Sequence, residues 1–169
     1  MQLGLTIPLQ KQLKIKNLSY GEPLDRRFCW DLHGITLHGR SCLLAVHCSS
    51  RYTFTLFDLG FADWSDLCDT FLRGMRESFL AAGITESAIR CYLEQADAIA
   101  CTKTHGRREV AFLNRAWDDV AALDYTVDQS TRHQPLLDRA VNDLLRRCAG
   151  YGGLGTAAER LRIDLTERK

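Results

Sequence analysis

The sequence predicts an α+β fold: an antiparallel three-stranded meander, an N-terminal strand and one late strand, packed against four or five helices. Three observations carry this expectation. Alternating apolar residues concentrate before residue 57, helical stripes dominate after residue 60, and the short apolar run Ala98-Ile99-Ala100-Cys101 interrupts the helices. Strands first and helices after, with one late strand, is the α+β pattern.

Residues 2–6 read as a short strand. Pro8 suits the first turn of a helix capped by Thr6 and running to about Lys14. Residues 16–27, with Asn17, Gly21 and Pro23, read as a loop. Phe28, Trp30 and Leu32 then alternate on one parity, and Ile35 and Leu37 on the other. That switch predicts a β-bulge at His33-Gly34. Gly39-Arg40 fits a two-residue type II′ turn. Cys42 to Val46 is apolar throughout, as in a central strand buried on both faces. After a weaker turn signal at Ser49-Ser50, Tyr52, Phe54 and Leu56 alternate with Thr53 and Thr55 as the third strand.

Asp63 is an N-cap for a helix whose stripe is Trp64, Leu67, Phe71, Met75 and Phe79, and Gly83 ends it. Thr85 caps the next helix, with Ile84 and Ile89 as a hydrophobic staple. A strand at 98–102 precedes a helix from about Arg107 to Leu123. Another helix is expected from about Gln134 to Ala149 on Leu137, Val141, Leu144 and Cys148, with Gly150 as its stop. Residues 1–150 read as one α+β domain, and 151–169 as a Gly-rich turn and a charged, weakly ordered tail. Within that tail, Thr156 and Glu159 form a capping-box pair for a short last helix.

At 169 residues the chain can bury an ordinary core, and 46% apolar with 25% charged residues is globular composition. The net charge of +1 excludes a strongly basic nucleic-acid protein and a strongly acidic one, but not a local basic patch. No apolar run approaches the roughly 18 residues that span a membrane. Met1 to Leu13 lacks the apolar stretch of a signal peptide. The seven cysteines are odd in number and lack C-x-x-C spacing, which predicts reduced thiols in a cytoplasmic protein and no structural disulfide.

Most chemical motifs fail on context. Gly150 to Gly155 matches G-x-G-x-x-G, but it follows a helix rather than a strand, so no dinucleotide cofactor is expected. His33, His38 and His47 share a hairpin, with the bulge bringing His33 near His47, yet two convergent ligands do not hold zinc. No metal is expected. Asp66-Asp69 and Asp118-Asp119 fit solvated helix faces, and no nucleophile elbow or P-loop is present.

What remains is a cationic set near turns and element ends. Arg40, Arg51, Lys103, Arg107 and Arg108 lie with the aromatics Trp30 and Tyr52 and with Thr104. On one face they would contact phosphates and stack on a planar group. Asn114 stands between Val110 and Trp117 on an apolar stripe. It is expected either to tie its helix to the Thr102–Thr104 backbone or to line a pocket there.

The same segments resemble an uncharacterised bacterial domain found alone or N-terminal to the plasmid ORF-three-like domain of mobile-element proteins. Lys11 to Lys16, Trp30 to Ile35, Arg40 through Val46 with Arg51-Tyr52, Arg76-Glu77 with Gly83-Ile84, and Thr102-Lys103-Thr104 with Arg107 and Leu113-Asn114 carry the likeness over roughly residues 1–150. Asp31 stands where that family tends to have His, Gly106 where it has Asp, and His47-Cys48 where it has Asn-Asp. The resemblance implies a bacterial origin and a link to mobile elements or defence, and no activity.

The expected function is a non-enzymatic binding module that contacts nucleic acid or a partner protein through Arg40, Arg51, Tyr52, Lys103, Thr104, Arg107 and Asn114. One alternative is an enzyme acting on a phosphorylated or nucleotide substrate, with Lys103 and Arg107 as phosphate ligands. The other is an assembly subunit that forms a homodimer. No membrane contact is expected.

Overall fold

The computed structural model describes residues 1–166 and is α+β. Its centre is a mixed five-stranded sheet of β1 (Gln2–Leu5), β2 (Cys29–Leu37), β3 (Arg40–His47), β4 (Thr53–Leu56) and β5 (Ala100–Lys103) in the order β4-β3-β2-β1-β5. The pairs β2–β3 and β3–β4 are antiparallel, as the alternation predicted. The meander is only one side of the sheet, however. β1 runs parallel to β2 on one side and to β5 on the other, so the N-terminal and late strands extend it.

Among the described residues seven helices surround the sheet, more than expected. They are α1 (Ile7–Gln12), α2 (Phe61–Ser65), α3 (Leu67–Ala81), α4 (Glu86–Ala96), α5 (Arg107–Ala122), α6 (Pro135–Asn142) and α7 (Ala157–Thr166). None is long and apolar enough to cross a membrane. The expected helix from Asp63 is two. Asp63 accepts from the Gly60 N–H at 2.9 Å to open α2, and Asp66 caps α3 through the Asp69 N–H. Thr85 caps α4 as expected.

The sheet is covered on both faces, and this explains the parity switch in β2. Trp30 and Leu32 enter one core with Leu43, Phe54, Phe71 and Phe79. Ile35 and Leu37 enter a second, across the sheet, with Leu44, Leu113, Val120 and Leu137. The strand needs no bulge: its register with β3 is unbroken from Trp30↔His47 to Leu37↔Arg40. That register also moves the turn. Its central residues are His38 and Gly39, with φ of +48° and +74°, a type I′ geometry rather than the expected II′ at Gly39-Arg40. His33 and His47 consequently face opposite sides of the sheet.

The edge strand β4 is closed by side chains instead of another strand. Asp138 Oδ1 accepts from the Thr55 N–H (2.9 Å). Asn142 accepts from the Thr53 N–H (2.8 Å) and donates to the Thr53 carbonyl (2.6 Å). Residues four apart on a helix rise about 6 Å, close to the roughly 6.8 Å between alternate strand residues, so one face of α6 matches the ladder. α6 stops at Asn142, not near Ala149. Arg146 and Arg147 leave it to form β6 (Arg146–Arg147), a two-residue hairpin with β7 (Leu154–Gly155). The predicted Thr156–Glu159 capping box opens α7, with reciprocal bonds of 2.9 and 3.1 Å, and α7 buries Leu161 fully in the first core. Within the expected weakly ordered tail, α7 is therefore packed, while Gly152 to Leu154 are exposed. Residues 167–169 of that tail lie outside the described residues.

Candidate functional site

The sequence-derived cationic set is dispersed. Arg40 and Arg51 flank opposite ends of β3, about 24 Å apart for eight residues of strand. Arg40 is exposed and lies 3.7 Å from Asp58. Tyr52 is buried, its hydroxyl bonded to Ser78, and burial pushes its phenol pKa up. Lys103 is exposed at the end of β5, its Nζ 4.9 Å over the Tyr20 ring, and Thr104 is half-buried beside it. Arg107 is exposed in the first turn of α5. Asn114 is exposed, because the buried stripe of α5 is Glu109, Leu113, Ala116 and Val120. It sits roughly 100° around the helix from Leu113.

Arg108 lines a cavity with Arg26 and Arg27, and Arg51 lies in a cleft with other arginines. Arg51 occupies the β3–β4 turn at φ +66°, a left-handed conformation that costs a non-glycine residue on the order of 1–3 kcal/mol. Its guanidinium stacks on Phe112 of α5 at 3.9 Å, and the side chain is 9% exposed. Glu109 Oε1 is 3.8 Å from its Nη2, beyond hydrogen-bond reach, and its buried Nε and Nη2 have no hydrogen-bond partner among the described residues. Buried donors left in this way cost about 1–3 kcal/mol each.

Four more arginines line the same cleft. Arg115 projects from the α5 face that carries Phe112 and Asp119. Arg146 and Arg147 come from the β6–β7 hairpin, and Arg160 from α7. Asp119 pairs with Arg146, and Arg160 donates to the Arg146 carbonyl, so these two arginines are committed to structure. Arg115 and Arg147 are exposed. Two carboxylates, Asp119 in its wall and Glu109 beside Arg51, against five guanidiniums leave the cleft positive in a chain of near-zero net charge. The cleft has a volume of about 60 Å³.

A second cluster lies across the sheet edge. His105, in the β5–α5 loop, bonds Asp31 Oδ1 through Nδ1 at 2.7 Å and faces Gln2 Oε1 through Nε2 at 3.2 Å. Gln2 is held in that orientation because its amide N–H donates to the Glu22 carbonyl at 2.6 Å. Both ring nitrogens thus face acceptors. Burial alone would lower the imidazolium pKa; hydrogen bonds to Asp31, Cys29 and Cys48 reverse this and raise it to about 12. Cys48 Sγ lies 3.5 Å from the same Nδ1, and burial pushes that thiol up to about 11. Asp31 and Cys48 therefore share one ring nitrogen. A relay from carboxylate through imidazole to nucleophile uses both.

The histidines of the β2–β3 hairpin have other roles. His47 is fully buried, bonded to Ser50 Oγ (2.7 Å) and the Arg27 carbonyl (2.8 Å), and burial lowers its pKa to about 4. His33 bonds Thr6 Oγ1 at 2.8 Å.

Sequence reasoning reached Arg51 but missed Arg115, Arg146, Arg147 and Arg160. The Arg146-Arg147 pair was a usable signal, hidden by assigning those residues to a long helix. Residues 2–160 match the family described as a domain of unknown function (DUF6933), and the chain belongs to it. No curated protein matches the chain.

Proposed function

We propose that this protein is a non-catalytic binding module whose arginine cleft takes a phosphate-bearing ligand, a single-stranded nucleic acid in the first instance. One observation carries the reading: the buried Arg51 guanidinium, stacked on Phe112, with two donors unused among the described residues. A phosphate oxygen supplies the acceptors those donors lack, and a bidentate arginine contact suits it geometrically. Exposed Arg115 and Arg147 flank that position as further backbone contacts. The bacterial and mobile-element setting implied by the family likeness, and the cytoplasmic location expected from the reduced thiols, belong to the same proposal.

Two features support a binding role over catalysis. Cys48 is a protonated, buried thiol, and Asp31 occupies the nitrogen that a nucleophile's base would use. A protein partner is the second reading, favoured by Leu145 and Leu154, which stay exposed on the hairpin beside the arginines. The enzyme alternative with Lys103 and Arg107 as phosphate ligands has weaker support. Lys103 lines a cavity of about 290 Å³ with Arg26 and His105, but Arg107 is not among its walls.

Fluorescence anisotropy with labelled single- and double-stranded oligonucleotides at two salt concentrations tests the proposal. Expected is weak binding that falls with salt, with a slope for roughly 3–5 phosphates. Absence of binding to either strand form at low salt moves the assignment to a protein partner.

A further inference from the structure

We infer that Asp31, Cys48 and His105 form a transition-metal site of the zinc class, an assignment that does not rest on the arginine cleft. Three chain segments deliver one donor atom each: β2, the residue after β3, and the β5–α5 loop. The three donor atoms lie within 4.8 Å of one another. All three side chains are largely buried: Asp31 and Cys48 at 1% and 2% residue exposure, and the His105 side chain at 8%.

Three further observations point to a cation there. First, Asp31 Oδ2 is buried with no hydrogen-bond partner among the described residues, although Oδ1 accepts from both the His105 ring and its backbone N–H. Buried carboxylate oxygens are ordinarily satisfied, and an ion pair through Oδ1 leaves this one unexplained. Second, His105 has the outer contact of a metal ligand: Nε2 faces the Gln2 amide oxygen, itself anchored to Glu22, and Nδ1 is turned toward the cluster. Third, the glycine at position 4 lets the donors meet. Gly4 sits between Asp31 and Thr102 in register, and a Cβ there would overlap Asp31 Oδ1 at 2.1 Å and crowd His105 Nδ1 at 2.9 Å. Any other residue at position 4 would push these two ligands apart.

The donor set selects the ion. One thiolate, one imidazole and one carboxylate suit Zn²⁺ and its neighbours, not Mg²⁺ or Ca²⁺, and three protein ligands leave one position open. Zinc bonds of about 2.0–2.3 Å at tetrahedral angles separate donors by roughly 3.3–3.8 Å. The Nδ1···Sγ distance of 3.5 Å already fits, and Nδ1···Oδ1 at 2.7 Å opens when the metal replaces the shared proton. On coordination the imidazolium releases its Nδ1 proton and Cys48 its thiol proton to solvent. A cavity lined by Gln2, Cys29 and His105 reaches the imidazole, and another has Cys48 in its wall.

The test uses the full chain, purified under reducing conditions, loaded with Zn²⁺ or Co²⁺ and dialysed against metal-free buffer. About one retained equivalent is expected. The Co²⁺ form should show thiolate-to-metal charge transfer in the near ultraviolet. Cys48→Ser should lose that band and His105→Ala should lose retention, while His33→Ala keeps both. Because the cluster variants remove buried groups, X-ray absorption of the zinc-loaded wild type decides independently of their folding. One sulfur at about 2.3 Å with nitrogen and oxygen at about 2.0 Å is expected. A shell without sulfur, or no retained metal, overturns the site.

Discussion

Asn142→Ala tests what holds α6, and with it the arginine hairpin, against the sheet. In the folded protein Asn142 serves both polar groups of Thr53, at 2.8 and 2.6 Å, and donates to the Asp138 carbonyl at 2.7 Å. Thr53 is 3% exposed, so truncation strands a buried N–H and a buried C=O. At about 1–3 kcal/mol for each stranded group, two groups give a loss of roughly 2–6 kcal/mol. A cavity of about 350 Å³ lined by Tyr52, Asp138 and Asn142 adjoins the position and admits water, which sets the expectation at the lower end, about 2–3 kcal/mol. Urea denaturation should show this as a lower midpoint at constant m, and native-state hydrogen exchange should show lost protection at the Thr53 and Thr55 amides. A loss under about 0.5 kcal/mol with the Thr53 amide still protected would refute the edge-closure reasoning.

Three further outcomes are expected. Burial raises the Asp138 pKa to about 6, above the ordinary carboxylate value of 3.8. Because the folded value is the higher, its contribution is complete below pH 3.8 and is lost as pH rises through 6. The change is on the order of 3 kcal/mol, and it should vanish in Asp138→Asn when denaturation is compared at pH 4 and 7. Asn114→Ala should change stability by less than about 0.5 kcal/mol by thermal melt, because the residue is exposed, and a larger loss would place it in a contact this geometry lacks. Cys68 and Cys101, with sulfurs 3.9 Å apart, are the pair expected to crosslink under diamide, which accepts the two thiol hydrogens. Peptide mapping that finds a different pair would contradict the packing of α3 on β5.

Local chemistry was legible in the sequence and long-range pairing was not. Thr85 and the Thr156–Glu159 pair signalled helix starts because caps act within four residues. The parallel pairing of β1 with β5 joins residues nearly a hundred positions apart and leaves no local trace. The parity switch in β2 was visible, but it has two physical causes, a bulge or helices on both faces, and only the packing of α5 and α6 distinguishes them. Leu144 and Cys148 fit the helical spacing of Leu137 and Val141, so the stripe overran α6 and hid the Arg146-Arg147 strand. The Asp31–Cys48–His105 cluster required the β2–β3 register. Shifted by the expected bulge, the same hairpin pointed to His33 and His47 instead.

The most direct test of the binding account is anisotropy with a labelled single-stranded oligonucleotide on Arg115→Glu/Arg147→Glu. Both side chains are exposed, so the fold should be unaffected. Affinity at low salt should fall by at least about tenfold, and the log–log salt slope should shrink by about 1–2 as phosphate contacts are lost. Unchanged affinity and slope in a folded double variant would contradict the assignment of the cleft.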